Sequence, residues 1–287
     1  LTATAVLSLL LSACASTVHL AVDQQALDFG LQRLVVEGQP FRHVVYRPHR
    51  VTPGRTLHVY IEGDGVPWRQ RTVIASDPTA FNNLMLRLMD RDPGPAIYVG
   101  RPCYFGLARD ADCNPDVWTF SRYSRQVVDS MAAAIARQAD GFDQLVLLGH
   151  SGGGALAMML AEQLRRVSAV VTVAGNLNVD GWTSHHSYTP LHGSLDPSNR
   201  PPLPARIRQL HLLGERDRKI PPTIVESTLR RQSGATVWRF ERYTHGCCWS
   251  DIWPDVLRWL RNEGSTGQLS QKLSGIVGDH AIHTQFQ

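Results

Sequence analysis

The stretch Leu145-Val146-Leu147-Leu148-Gly149-His150-Ser151-Gly152-Gly153-Gly154-Ala155-Leu156-Ala157-Met158-Met159-Leu160-Ala161 decides the fold. A short apolar run bounded by glycine predicts a buried strand, and the Ala/Leu/Met run after it predicts a helix. Between them the pattern G-x-S-x-G predicts a sharp strand-to-helix turn. The turn needs glycines because the backbone at the serine is strained and its neighbours pack tightly. It lifts the Ser151 hydroxyl above the sheet edge, where a base and a second molecule can reach it. A phosphate-binding loop also joins strand to helix through glycines, but its closing Lys-Ser/Thr is absent here.

Working outward, Leu57-His58-Val59-Tyr60-Ile61 reads as a strand that runs into the turn Glu62-Gly63-Asp64-Gly65. Buried strands are expected at 96–100 and 169–175, and further strands at 209–214 and 236–240. Helices are expected over 80–89, 121–139, 223–231 and 250–261. Two strand-like runs flank Glu37-Gly38, a hairpin signal. Strands that are apolar throughout, alternating with helices, predict an α/β protein: a doubly wound, mostly parallel sheet with helices on both faces. The N-terminal hairpin supplies an antiparallel edge. The loop at 101–120 and a long insertion at 176–206, rich in Pro, His, Ser and Asn, are expected to shape a pocket.

A serine hydroxyl is a poor nucleophile until a base takes its proton. A sheet of this kind carries its working groups on loops at the C-terminal ends of strands. Asp217 follows one late strand in the context Gly214-x-x-Asp217, and His245 follows the last, before Gly246. Glu215, Asp196 and Asp180 compete for the acid's place, and the strand-Gly-x-x-Asp context favours Asp217. His150, adjacent to Ser151 on a tight turn, is expected to point away and pack. His185, His186 and His192 are expected in a solvated loop, with no carboxylate spacing that would make a metal site. Trp182, Tyr188 and Trp249 either line a pocket or cap a lid.

The order Ser151, Asp217, His245 resembles the α/β-hydrolase fold family over roughly residues 30–262. The resemblance implies Ser151 as nucleophile, His245 as general base and then acid, and Asp217 as the group orienting the imidazole. It implies an oxyanion hole made by the N–H of Gly152 and by the turn after the early strand. There the Asp64 N–H is the expected donor, with Gly65 next. That turn resembles the family's His-Gly turn with Glu62 in place of His. The implied reaction is hydrolysis of a small-molecule or lipid-like ester through an acyl-enzyme, with no cofactor and no metal. The same triad also serves peptidases, amidases and thioesterases, and the fold can act as a non-catalytic binding module.

The 287 residues carry a formal net charge of +4, spread along the chain almost entirely as arginine. No basic stripe of the kind a nucleic acid needs is gathered anywhere. Val6 to Leu11 is apolar but too short to span a bilayer, and it meets Ser12-Ala13-Cys14. Residues 1–13 therefore read as the remnant of a signal peptide. Leu11-Ser12-Ala13-Cys14 resembles the bacterial lipobox. That implies cleavage before Cys14, acylation of Cys14 and anchoring in a membrane. Ala15 at the next position favours the outer membrane of the bacterial envelope, with the protein facing the periplasm. Residues 14–29 are then a lipid-anchored tether and 263–287 a flexible tail. Apart from Cys14 there are Cys103, Cys113, Cys247 and Cys248, in a compartment that permits disulfides. Cys103 and Cys113 bracket a short loop and are the expected pair. Cys247 and Cys248 are left as an adjacent disulfide or as thiols, since their spacing fits no zinc motif.

Overall fold

The apolar runs form one sheet. The computed structural model describes residues 18–50, 52–261 and 281–285; the signal remnant, Cys14 and the lipobox lie outside them. In chain order the strands are β1 (Leu31–Glu37), β2 (Arg42–Pro48), β3 (Thr56–Ile61), the short β4 (Trp68–Arg69) and β5 (Val73–Ile74), and β6 (Ala96–Val99). They continue with β7 (Gln144–His150), β8 (Val167–Val173), β9 (Arg208–Gly214), β10 (Thr236–Phe240) and β11 (Ala281–Gln285). The main sheet runs β1-β2-β6-β3-β7-β8-β9-β10-β11, while β4 and β5 make a separate hairpin. From β6 to β10 neighbouring strands are parallel. The expected hairpin is present, with β1 antiparallel to β2 from Leu31↔Pro48 to Glu37↔Arg42.

Central strands are buried on both sides, including Leu145 to Leu148 and Val170, Val171 and Val173. A strand hidden on both faces requires helices on both faces. These helices are α1 (Val18–Asp28), α2 (Leu84–Met89), α3 (Arg125–Gln138), α4 (Gly152–Gln163), α5 (Val179–His185), α6 (Pro222–Arg230) and α7 (Trp253–Arg261). Each fully buried Val, Leu or Ile contributes ~1.5–3 kcal/mol, so the layers are held mainly by this core.

Several expectations change. The polar tether is a helix over Val18–Asp28: Val22 and Ala26, four apart on one face, are buried. Asp23 secures it by accepting from the Tyr46 hydroxyl at 2.5 Å and pairing with Arg33. Within the expected flexible tail, Ala281–Gln285 pairs antiparallel with β10, using backbone groups that need no apolar pattern. The helix expected from 121 starts at Arg125, because Ser124 caps it by accepting from the Val127 N–H at 3.3 Å. That frees 121–123 to reach the site. The helix expected from 80 starts at Leu84, leaving Ala80 to Asn83 as a turn. The insertion is partly ordered by α5, capped where the Asn178 side chain accepts from the Gly181 N–H at 2.8 Å.

Candidate active site

Ser151 sits between β7 and α4 with φ 53° and ψ −121°, a conformation that costs a non-glycine residue about 1–3 kcal/mol. Its surroundings impose it. The Ser151 N–H donates to the Val173 carbonyl at 2.9 Å, and the Ser151 carbonyl accepts from the N–H groups of Gly154 and Asn176, each at 2.9 Å. Gly149 permits the close approach of strand and helix, since a Cβ there would come within 2.1 Å of the Gly153 carbonyl oxygen.

The loops after β9 and β10 lie side by side. The Arg216 N–H donates to the Tyr243 carbonyl at 3.0 Å, and the Glu215 N–H to the Phe240 carbonyl at 3.0 Å. This brings Asp217 to His245, with Nδ1 2.8 Å from Asp217 Oδ2. The other carboxylate oxygen, Oδ1, accepts from the N–H groups of Lys219 and Ile220 at 2.8 and 2.9 Å. With Nδ1–H committed to Asp217, Nε2 is the His245 nitrogen left to take a proton. Burial pushes the His245 pKa below its ordinary 6.5. Asp217 opposes that shift, and His150 and Lys219 add to it. The imidazole is therefore neutral, the form a base requires, at neutral pH.

Ser151 and His245 line one cavity of about 450 Å³, together with Glu62, Gly63, Asp64 and Gly65 of the early turn. Among the described residues the N–H groups of Gly152 and Asp64 have no acceptor. Gly65, at φ 64°, forms the far end of the same turn. Trp182, His186 and Tyr188 of the insertion also face the cavity, as do Asn176 and Arg122. Cys103 is bonded to Cys113 with a Cα–Cα distance of 5.6 Å, and Cys247 is bonded to Cys248.

The side chain of Asp64 has a part that its backbone role did not foretell. Its carboxylate accepts from Arg101 Nη1 at 2.5 Å, from Arg122 Nη1 at 2.9 Å, and from the Tyr123 hydroxyl at 2.7 Å to either oxygen. Its carbonyl accepts from the Tyr104 hydroxyl at 2.8 Å. The Arg101 guanidinium is held between the rings of Tyr104 and Tyr123, 5.5 and 5.2 Å from their centroids. Burial alone would raise the Asp64 pKa; Arg101, Arg122 and Tyr123 outweigh it and hold it at about 2. The turn that carries one expected oxyanion donor is thus pinned by two buried arginines from the disulfide-bridged loop and its continuation.

His150 does more than pack. Its Nδ1 lies 3.1 Å from Glu62 Oε1 and its Nε2 3.0 Å from the His245 carbonyl, so the ring bridges the early turn and the histidine loop. Glu62, where the family resemblance has a histidine, also accepts from the N–H groups of Met85 at 2.9 Å and Gly63 at 3.1 Å. Trp249 is fully buried and donates from Nε1 to the His245 carbonyl at 3.0 Å, which makes it a support of the loop. His186, expected in a solvated loop, donates from Nε2 to the Lys219 carbonyl at 2.9 Å. The Asn176 Oδ1 is buried without a hydrogen-bond partner among the described residues. Adjacency to Ser151 was the signal for His150, and Glu62 showed itself by breaking a pattern. Asp64's partners, Arg101 and Arg122, carried no local signal.

A sequence model of the α/β hydrolase fold matches residues 104–240. No curated protein matches the chain. Among solved structures, an esterase of Pyrococcus furiosus superposes with a TM-score of 0.58 at 8% identity, over 84% of this chain and 92% of that one. A membrane phospholipase A, described as a bacterial virulence factor, gives 0.55 at 16% identity over 89% and 97%. A puromycin hydrolase gives 0.54 at 17% identity over 80% of this chain, which spans only 38% of that protein's length. The likeness to these structures is one of fold.

Proposed function

We propose that this chain, which carries the α/β-hydrolase fold, is a serine hydrolase that cleaves an ester through an acyl-enzyme. The observation that carries the reading is the 2.8 Å contact between His245 Nδ1 and Asp217 Oδ2, with the same imidazole lining the cavity of Ser151. In the first half-reaction His245 Nε2 takes the Ser151 proton as Oγ bonds to the ester carbonyl carbon. The negative charge that develops on the carbonyl oxygen meets the N–H groups of Gly152 and Asp64; each such donor is worth about 2.7–4 kcal/mol of barrier. The proton on His245 then passes to the departing alkoxide as the ester C–O bond breaks, leaving acyl-Ser151 and an alcohol. Water repeats the sequence on the acyl-enzyme, releasing the acid and returning the proton to Ser151.

Labelling with a fluorophosphonate probe tests this directly. The folded wild type should label at one site, and Ser151→Ala should not label. An unlabelled wild type, or equal labelling of Ser151→Ala, overturns the reading. Among acyl transfers, an ester is the reading for a cavity edged by exposed Phe81 and Tyr188, where a small or lipid-like acyl group can lie. The esterase and the phospholipase A that share the fold are in keeping with it. For the location we propose the bacterial outer membrane, facing the periplasm, with acylated Cys14 as anchor. Metabolic labelling with an alkynyl fatty acid should mark the wild type and not Cys14→Ser.

A further inference from the structure

We infer that the cavity is built for an ester that carries an anionic group, a carboxylate or a phosphate, bound between Arg122 and Lys219. Turnover as a readout rests on the Ser151 hydrolase reading; the charge assignment itself does not.

The two carboxylates on the cavity are already engaged. Glu62 accepts from Met85, Gly63 and His150, and Asp64 from Arg101, Arg122 and Tyr123. Neither is left to repel an anion at full strength. Among the lining residues the cations are Arg122 and Lys219, while Arg101 lies behind the lining and already meets the Asp64 charge. Neutralising Asp64 needs one arginine, and two are present.

Arg122 is only 5% exposed, yet it lines the cavity. Its Nε donates to the Thr119 carbonyl at 2.6 Å and its Nη1 to Asp64, which fixes the plane of the guanidinium. Its Nη2 has no acceptor among the described residues. A buried, pre-oriented guanidinium with a donor to spare is the group that recognises carboxylate and phosphate oxygens best.

Lys219 lines the same cavity and makes no ion pair among the described residues. Its backbone is held on both sides, the N–H by Asp217 and the carbonyl by His186. The nearness of its charge also shows in the lowered pKa of His245. The chain uses arginine for nearly all its positive charge, and Lys219 is the one lysine among the described residues. A lysine there is a mobile point charge on a long stem, able to follow a substrate anion while Arg122 stays fixed.

Two matched pairs of esters test the assignment and tell which side of the ester bears the anion. Mono-4-nitrophenyl glutarate against 4-nitrophenyl pentanoate places the charge on the acyl side. The 3-phosphate of 1-butanoylglycerol against 1-butanoylglycerol itself places it on the leaving group. In at least one pair the charged member should have kcat/KM about tenfold higher at low salt, and added NaCl should erode that ratio. Lys219→Glu should bring the ratio below one; the ratio within a pair corrects for any general loss of activity. Calorimetry on Ser151→Ala, with monomethyl glutarate against methyl pentanoate and the two glycerol esters, reads the same preference as binding. A wild type that neither labels nor turns over any ester would sink the hydrolase reading, and the calorimetry would still decide the charge assignment. Equal or weaker handling of the charged member in both pairs, or a preference that Lys219→Glu leaves intact, overturns the inference.

Discussion

The Asp64 carboxylate lies directly against the Cα of Gly152: a Cβ built on Gly152 would come within 1.9 Å of Oδ1 and 2.4 Å of the Tyr123 hydroxyl. The two residues whose N–H groups are proposed as the oxyanion donors thereby touch each other. Gly152→Ala forces these apart. It should destabilise the fold by about 1–3 kcal/mol, as overpacking does, and should lower kcat by about 10²-fold through one displaced donor. Thermal unfolding and steady-state kinetics on one preparation check both; a wild-type kcat would show that the contact has no bearing on the oxyanion hole.

Removing the Asp64 side chain leaves Arg101 and Arg122 buried without their shared countercharge. Breaking one side of a buried ion pair costs about 3–5 kcal/mol. Asp64→Ala should lose about that much in denaturant unfolding. Asp64→Asn, which keeps the shape and some of the hydrogen bonds, should lose less. Equal losses from the two would mean that packing, and not charge, holds the turn.

The proposed triad makes steep demands on rate. Ser151→Ala and His245→Ala should each lower kcat by about 10⁵–10⁶-fold, and both together by little more than either alone. Asp217→Asn should cost about 10⁴-fold while leaving the fold intact. Because burial lowers the His245 pKa, the acid limb of kcat/KM should fall below pH 6.5 in the wild type.

His150 joins the early turn to the histidine loop, its Nδ1 facing the Glu62 carboxylate and its Nε2 the His245 carbonyl. A hydrogen bond to a charged group is worth about 1.5–3 kcal/mol. His150→Ala should therefore reduce kcat by roughly tenfold or more with little change in KM, since the residue holds loops in place and does not hold the ester. His150→Gln, which keeps a donor, should recover part of the loss. A change confined to KM would instead make His150 a substrate contact.

Two buried histidines fix the direction of acid sensitivity. His211 accepts from the Thr172 hydroxyl at 2.8 Å and His43 donates to the Gly100 carbonyl at 3.0 Å. Burial pushes their pKa values down to about 3 and about 4. In the unfolded chain both titrate near 6.5. Between that value and the folded pKa the unfolded state binds more protons, so stability is full above pH 6.5 and falls as the pH drops. The slope approaches about 1.4 kcal/mol per pH unit for each histidine. Urea unfolding at pH 7 and pH 5 should show the loss, and His211→Gln should make it shallower.

The parts of this molecule that are legible in its sequence are those set by short-range pattern. Apolar runs marked the central strands, and G-x-S-x-G marked the elbow. The position of Asp217 and His245 after late strands made them candidates, and the folded loops bring them together. What escaped depends on pairing across distance. Arg101 and Arg122 lie 37 and 58 residues after Asp64, in a stretch that reads only as a loop. Helix α1 buries two residues on an otherwise mixed surface, too few to give a periodic signal. Strand β11 is held by backbone pairing with β10, which leaves no trace in side-chain order. Helix α5 contains Gly, Ser and two β-branched residues, weak helix formers, and its start depends on the Asn178 cap.

The β4–β5 hairpin has a consequence for anyone who would retune this protein. It rises from Val66 and Pro67 at the cavity edge, closes through the Ala75 N–H to the Pro67 carbonyl at 2.9 Å, and carries exposed Val73 and Ile74 outward. Among the described residues, no hydrogen bond or ion pair joins positions 69 to 73 to Asp217, His245 or Asp64. A graft there redraws the entrance and leaves the chemistry alone. The opposite bank, from Arg101 to Tyr123, offers no such freedom, because it is bolted to the turn of Asp64 itself.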